Sequence, residues 1–217
     1  MSLTLIIANK NYSSWSFRPW LLMRQFEIAF DEVVIPLGQE NTHREILRYS
    51  PAGKCPVLCD SETAVWDSLA IIEYLAECNP RAAIWPETKE ARAHARALAA
   101  EMHSGFTGLR GLLPMNMRRK VKKRDLTPEA AADVARIEQA FKAAREKSGQ
   151  AGDFLFGKFS AADAMFAPVV NRFHVYDVPV AAGTRAYMEA IMALPAWREW
   201  SRQAQAEPWI IDKYEMG

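Results

Sequence analysis

The sequence predicts an α/β half followed by an all-α half. Three observations carry that expectation. Short, partly β-branched apolar runs are confined to about the first 80 residues. Beyond about Pro86 the apolar residues recur at three- and four-residue steps, the spacing of one helix face. Between the two lies a short stretch, Arg81 to Glu87, that fits neither pattern and reads as a linker.

Each element follows from local signals. Leu3 to Ala8 (LTLIIA) suits a buried strand. A polar stretch, Asn9 to Ser14, leads into a helix-like segment from about Trp15 to Phe26. Pro19 belongs in a first helical turn, so the helix is expected to start just before it. Phe30 to Ile35 reads as a second strand, and Asn41 to Tyr49 as a short helix ended by Ser50-Pro51 and Gly53. Pro56 to Asp60 and Thr63 to Trp66 form a hairpin across Ser61-Glu62. Asp67 or Ser68 caps a helix carrying Leu69, Ile71, Ile72 and Leu75, which Asn79-Pro80 stops. The order β-α-β, α, β-β-α is a parallel crossover followed by an antiparallel hairpin, a thioredoxin-like sheet. In the second half Leu98, Met102, Phe106, Leu109 and Leu113 share one helical stripe, and Val134, Ile137, Phe141 and Ala144 another. Ser160 to Phe173 is apolar nearly all round, which predicts a buried central helix. Two more helices are expected over Thr184 to Ala193 and Ala196 to Ala206. The chain therefore divides into 1–80, a linker at 81–87, and a helical bundle over 88–217.

Composition excludes several function classes. The chain has 217 residues, half of them apolar, and a formal net charge of +1, so neither nucleic acid nor an anionic membrane is expected as a partner. The basic run Arg118 to Arg124 reads as a solvated helix end or loop. The N-terminal segment lacks the marks of a signal peptide and no apolar stretch approaches a membrane span, so the expected address is the cytoplasm. The three cysteines, Cys55, Cys59 and Cys78, and four scattered histidines show no metal-ligand spacing and no disulfide framework. No metal is expected.

Three segments carry chemistry. YSSWSFRPW (Tyr12 to Trp20) places Ser13, Ser14 and Ser16 at a strand-to-helix turn. Unpaired N–H groups and the helix dipole stabilise an anion there, although a serine cap and turn residues give the same pattern. In SPAGKCPVL (Ser50 to Leu58), a proline directly before a strand is either a trans residue opening an edge strand or a cis residue that presents the backbone of Cys55 to a ligand. In WDSLAIIEYL (Trp66 to Leu75), Asp67 and Ser68 are helix caps, or a pair that grips an ammonium and a carboxylate.

Together these segments resemble the N-terminal domain of the glutathione transferases: a serine turn before the first helix, a G-K-x-P-x-L segment, and D-S-L-A-I-I-E-Y-L starting twelve residues after Cys55. The serine run looks most like the zeta-type, maleylacetoacetate isomerase-like branch. GKFSAADAMFAPVV resembles the family's C-terminal signature, with Ser160 and Asp163 as a capping box. The resemblance implies a glutathione transferase of the detoxification kind, a homodimer, with glutathione as co-substrate. Ser13 matches the residue that hydrogen-bonds the glutathione sulfur, with Ser14 next in order and Ser16 beside them. Cys55 would pair its backbone with the cysteinyl part and Pro56 would be cis. Asp67 and Ser68 would hold the γ-glutamyl end, and Lys54 and Asn41 the glycyl end.

The implied reaction is attack of a serine-stabilised thiolate on a small hydrophobic electrophile. The alternatives are isomerisation of the maleylacetoacetate type and a glutathione-binding module without turnover. The electrophile is expected between the two halves, with Met102, His103, Phe106 and Leu109 as candidate walls opposite Trp15. For the Met and Phe the competing role is core packing, and for His103 it is a satisfied surface position. The zeta-type pattern has a cysteine where this chain has Trp15, and relatives often carry Glu or Gln where it has Asp67. A thiol–disulfide oxidoreductase is disfavoured, since that chemistry needs a cysteine in the serine turn.

Overall fold

A computed structural model describes residues 3–148 and 151–215. The first part comprises β1 (Leu3–Ile7), α1 (Ser14–Gln25), β2 (Phe30–Val34), α2 (Thr42–Leu47), β3 (Val57–Asp60), β4 (Thr63–Trp66) and α3 (Ser68–Cys78). Helices follow: α4 (Lys89–Ser104), α5 (Thr107–Leu112), α6 (Pro128–Ser148), α7 (Ala161–Val175), α8 (Ala182–Ala193), α9 (Pro195–Ala206) and the single turn α10 (Asp212–Glu215). The strand order is β2-β1-β3-β4. β1 pairs parallel to β2 (Leu5 opposite Glu32) and antiparallel to β3 (Leu5 opposite Leu58), and β3 turns back onto β4. This is the thioredoxin-like sheet, followed by a helical bundle. No helix among the described residues is long and apolar enough to cross a membrane.

Leu5, Ile6 and Ile7 are fully buried because helices cover both sheet faces. Leu5, Ile7 and Leu58 join the large core shared with α1, α3 and the bundle, whereas Ile6 and Val57 meet Ile35 and Ile46 beneath α2. α7 is buried along nearly its whole length and packs against α1 and α4.

Two expectations need correction. α1 begins at Ser14, so Pro19 lies in its second turn. There the missing N–H leaves the Trp15 carbonyl without its intrahelical donor, a cost that burial of Phe17, Trp20, Leu21 and Leu22 offsets. The apolar stripe from Leu98 to Leu113 is two helices. Phe106 takes φ +57° and breaks it, and Leu109 N–H donates to Asp133 Oδ2 at 2.9 Å in the new first turn. The stripe continues across the break because the residues on either side face the same core.

The capping box at α7 is present. Asp163 accepts from Ser160 N (2.8 Å), Ser160 Oγ (2.9 Å) and Leu155 N (3.0 Å). Burial pushes its carboxyl up to about 6, and the hydrogen bonds pull the other way. The folded protein therefore binds this proton more tightly than the unfolded chain does. The group's contribution is fully present below about 3.8 and is lost as pH rises to about 6. Asp163→Asn replaces one acceptor oxygen by a donor and is expected to destabilise by about 1–3 kcal/mol. Urea denaturation of both proteins should show the gap narrowing as pH rises through that window.

Candidate functional site

The site forms where β1 hands over to α1. Ser13 N–H donates to Asn9 O (2.8 Å), and the turn is pinned from three directions. Asn9 Oδ1 accepts from Leu37 N after β2, and Asn11 Oδ1 from Arg118 N after α5. The Glu207 carboxylate accepts from Lys10 N (2.7 Å) and Asn11 N (3.0 Å) beyond α9.

The three serines have different roles in this turn. Ser13 is the N-cap of α1: its Oγ accepts from Ser16 N (3.3 Å) and donates to Ser16 Oγ (2.8 Å). Ser16 Oγ also accepts from Ala8 N (3.0 Å). Ser16 is fully buried and lines neither cavity described below, so its expected place at the ligand is corrected to a strut under the turn. Ser14 lines a cavity, and its hydroxyl has no hydrogen-bond partner among the described residues. The Trp15 N–H is likewise left without an acceptor there. A free hydroxyl and a free backbone donor in the first helical turn suit an anion.

Two cavities meet at this point. The larger, about 560 Å³, has Ser13, Ser14 and Trp15 on one wall, Thr42, His43 and Lys54 on a second, and Arg110, Met115, Arg172 and Tyr214 on a third. The smaller, about 210 Å³, is lined by Lys54, Cys55, Pro56, Trp66, Asp67 and Ser68. Trp15, Lys54 and Cys55 belong to both. The Cys55–Pro56 bond is cis.

The Cys55 thiol is pushed up to about 12 by burial, which removes it as a nucleophile near neutral pH. Cys55→Ser is accordingly expected to leave any thiol-transfer activity within about two-fold, and a disulfide-reductase assay should read zero for both proteins.

Asp67 caps α3 at φ +33°, an unusual backbone conformation for a residue with a side chain. Its Oδ1 accepts from Leu69 N (2.8 Å), and Oδ2 lies 3.3 Å from His103 Nε2. Ser68 is 1 % exposed, and its hydroxyl is buried without a partner. An unpaired buried hydroxyl is costly, so this one fits a ligand oxygen. Asn41 is exposed at the start of α2, makes no cap hydrogen bond and lines neither cavity. Gln39, Thr42 and His43 from the same segment line the larger cavity instead. Gly53 lets the His43 ring approach: at φ +61°, a Cβ there would stand 2.5 Å from His43 Cε1.

Sequence reasoning missed the third wall. Arg110 donates to Gly105 O (3.1 Å), and its guanidinium lies 4.8 Å from the Trp15 ring centre. Arg172 donates through Nε to Leu113 O (2.8 Å) and through Nη1 to Pro168 O (3.1 Å). Burial lowers Arg172 to about 10, still cationic at neutral pH, and lowers Arg110 as well. Arg172 had a legible signal, a cation inside an otherwise apolar helix. Met102, Phe106 and Leu109 are core residues that line neither cavity, and His103, also outside both linings, meets the site through Asp67, an edge contact with Trp15 and its carbonyl, which accepts from Arg110 Nη1. Arg110 and Arg172 give the larger cavity two guanidinium groups on that wall.

The family model "Glutathione S-transferase, N-terminal domain" matches residues 12–78, and "Glutathione S-transferase, C-terminal domain" matches residues 127–203. The chain is 27% identical over 215 residues to a probable maleylacetoacetate isomerase of Vibrio cholerae, covering 95% of this chain and 96% of that one. It is 30% identical to probable maleylacetoacetate isomerase 2 of Drosophila melanogaster, over 75% and 73% of the two chains. Its match to a probable maleylacetoacetate isomerase of Caenorhabditis elegans, also 30% identical, spans half of each chain. In fold it resembles the holo structure of maleyl pyruvate isomerase, a bacterial zeta-class glutathione S-transferase, with a TM-score of 0.71, 22% identity, and coverage of 94% and 99%.

Proposed function

The chain belongs to the glutathione transferase superfamily as a zeta-like member, and we propose that it is a glutathione-dependent enzyme whose second substrate is a small electrophile bearing a carboxylate. The observation that carries this reading is a pair of unpartnered hydroxyls, Ser14 and Ser68, on two cavities that share Trp15, Lys54 and Cys55.

Glutathione supplies the thiol nucleophile; the chain's own residues bind and ionise it. Asp67 faces the γ-glutamyl ammonium, and Ser68 with the first N–H groups of α3 holds the neighbouring carboxylate. The Cys55 backbone beside Pro56 aligns the cysteinyl unit. Lys54, with Gln39 and His43, meets the glycyl carboxylate. Ser14 and the Trp15 N–H donate to the sulfur. A free thiol titrates near 8.5, and lowering it by about two units takes about 2.7 kcal/mol. A hydroxyl donor to a charged group supplies about 1.5–3 kcal/mol and a helix N-terminus about 0.3–1 kcal/mol. The two together suffice without a protein base. Arg110 and Arg172 orient the electrophile's carboxylate in the larger cavity, beside the sulfur.

A second reading, cis–trans isomerisation, is favoured by the relatives' names and by the same arginines. Product analysis separates the two: an isomerase regenerates free glutathione, whereas a transferase consumes it.

The test is an ultraviolet titration of the enzyme-bound thiol. Ser14→Ala is expected to raise its pKa by about 1–2 units. Ser13→Ala is expected to leave that pKa in place while costing about 0.5–2 kcal/mol of helix-cap stability. The reverse pattern would make Ser13 the donor. Failure of the wild type to bind glutathione would remove the reading altogether.

A further inference from the structure

Arg18 sits on α1, one turn beyond Ser14, and is 1 % exposed. Its Nε donates to Met165 O on α7 at 3.1 Å, and its guanidinium lies 4.1 Å from the centre of the Trp15 ring. Its Nη1 is buried with no hydrogen-bond partner. No carboxylate forms an ion pair with it among the described residues. The charged groups that act on it are Arg172 from α7, Arg110 from α5 and, more weakly, Asp67 at the start of α3. Asp67 is itself engaged by Leu69 N and His103. Burial, followed by Arg172 and then Arg110, lowers the Arg18 pKa well below its ordinary value, with only Asp67 opposing.

As packing this arrangement is poor. An apolar side chain of similar length would fill the same space without a buried, unpaired guanidinium. Interaction with the Trp15 ring recovers only part of that loss. A cation kept here at a cost to the fold implies an anion that arrives from outside.

We propose that Arg18 is a positioning residue whose counter-ion is the sulfur of bound glutathione, its charge acting through Trp15 on the anion held at Ser14. The inference rests on the glutathione reading above and adds a residue that touches neither cavity. It makes two opposed predictions. Without ligand, Arg18 weakens the fold. With glutathione bound, it favours the ionised sulfur.

The experiment compares wild type, Arg18→Met and Arg18→Lys, each with glutathione and with S-methylglutathione, whose sulfur cannot ionise. Ligand-free Arg18→Met should melt at a higher temperature than wild type. Its bound thiol should titrate about one unit higher, leaving about ten-fold less thiolate near neutral pH. Affinity for S-methylglutathione should stay within about two-fold of wild type. Arg18→Lys, which retains a cation, should recover part of the thiol shift. An unchanged thiol pKa in Arg18→Met overturns the proposal. So does equal loss of both ligands, or a Met variant that melts lower or fails to fold, since each marks Arg18 as structural. If wild type binds S-methylglutathione with an unperturbed glutathione thiol, Arg18 and Ser14 fail together while the binding site stands. If wild type binds neither ligand, the glutathione reading itself falls, and this inference with it.

Discussion

Ser68→Ala is expected to weaken glutathione binding by about 10–150-fold, the equivalent of about 1.5–3 kcal/mol for a hydrogen bond to a charged group. The same substitution should leave the ligand-free protein as stable as wild type or more so. Its hydroxyl is buried without a partner, and deleting an unsatisfied buried group removes a desolvation cost without breaking a bond. Asp67→Ala gives the contrasting result. It loses affinity by only about two- to five-fold, because its carboxylate is partly exposed and its pull on an ammonium is screened. It also loses about 0.5–2 kcal/mol of stability, because Oδ1 caps α3 through Leu69 N–H. Calorimetric titration with glutathione, paired with thermal melts of the free proteins, checks both. Equal stability losses in the two variants would show that Ser68 has a structural partner and is not waiting for a ligand.

Arg172→Met is expected to lower kcat/KM for a carboxylate-bearing electrophile by at least about 30-fold, since removing one member of a desolvated charge pair costs about 2–5 kcal/mol. For a neutral electrophile of similar size the change should stay within about three-fold. Affinity for glutathione should hardly move, because Arg172 is hydrogen-bonded to the carbonyls of Leu113 and Pro168 and to none of the residues proposed to hold glutathione. The variant also gives up hydrogen bonds to the carbonyls of Leu113 and Pro168, so some loss of stability is expected in every assay. The comparison of the two electrophiles cancels that loss. Equal losses on both would place the substrate carboxylate elsewhere, with Arg110 as the next candidate.

How much of this was legible before the structure depends on whether a signal is local. Strand order and helix faces follow from spacing within a few residues, so β1, the β3–β4 hairpin, α3 and α7 were readable from LTLIIA, the Ser61-Glu62 turn, the Asp67 cap and the apolar run after Ser160. Where local and tertiary preferences disagreed, packing prevailed. Pro19 stays inside α1 because both neighbours are buried, and Phe106 breaks a stripe that the core nonetheless keeps continuous. At the site, the cis bond at Cys55–Pro56 and the pair Asp67–Ser68 lay in a compact motif. The serines were found but could not be ranked, because the roles of Ser13 and Ser14 differ only in which hydroxyl turns toward Ser16. Arg18, Arg110 and Arg172 are spread over 154 positions of sequence (172 − 18). Only the packing of α1, α5 and α7 brings them near Trp15, and no periodicity announces that.

The carboxylate of Glu207 reaches Lys10 N and Asn11 N across as many as 197 residues, and Trp200 Nε1 donates to Lys10 O across 190. The consequence concerns timing during synthesis. At about 5–20 residues per second, a ribosome needs about 10–40 s after making Asn11 to add Glu207, and longer for it to clear the exit tunnel. Throughout that interval the serine turn lacks its last anchor. A nascent chain can therefore complete its four-stranded sheet, which ends at Trp66, well before the serine turn is fully anchored.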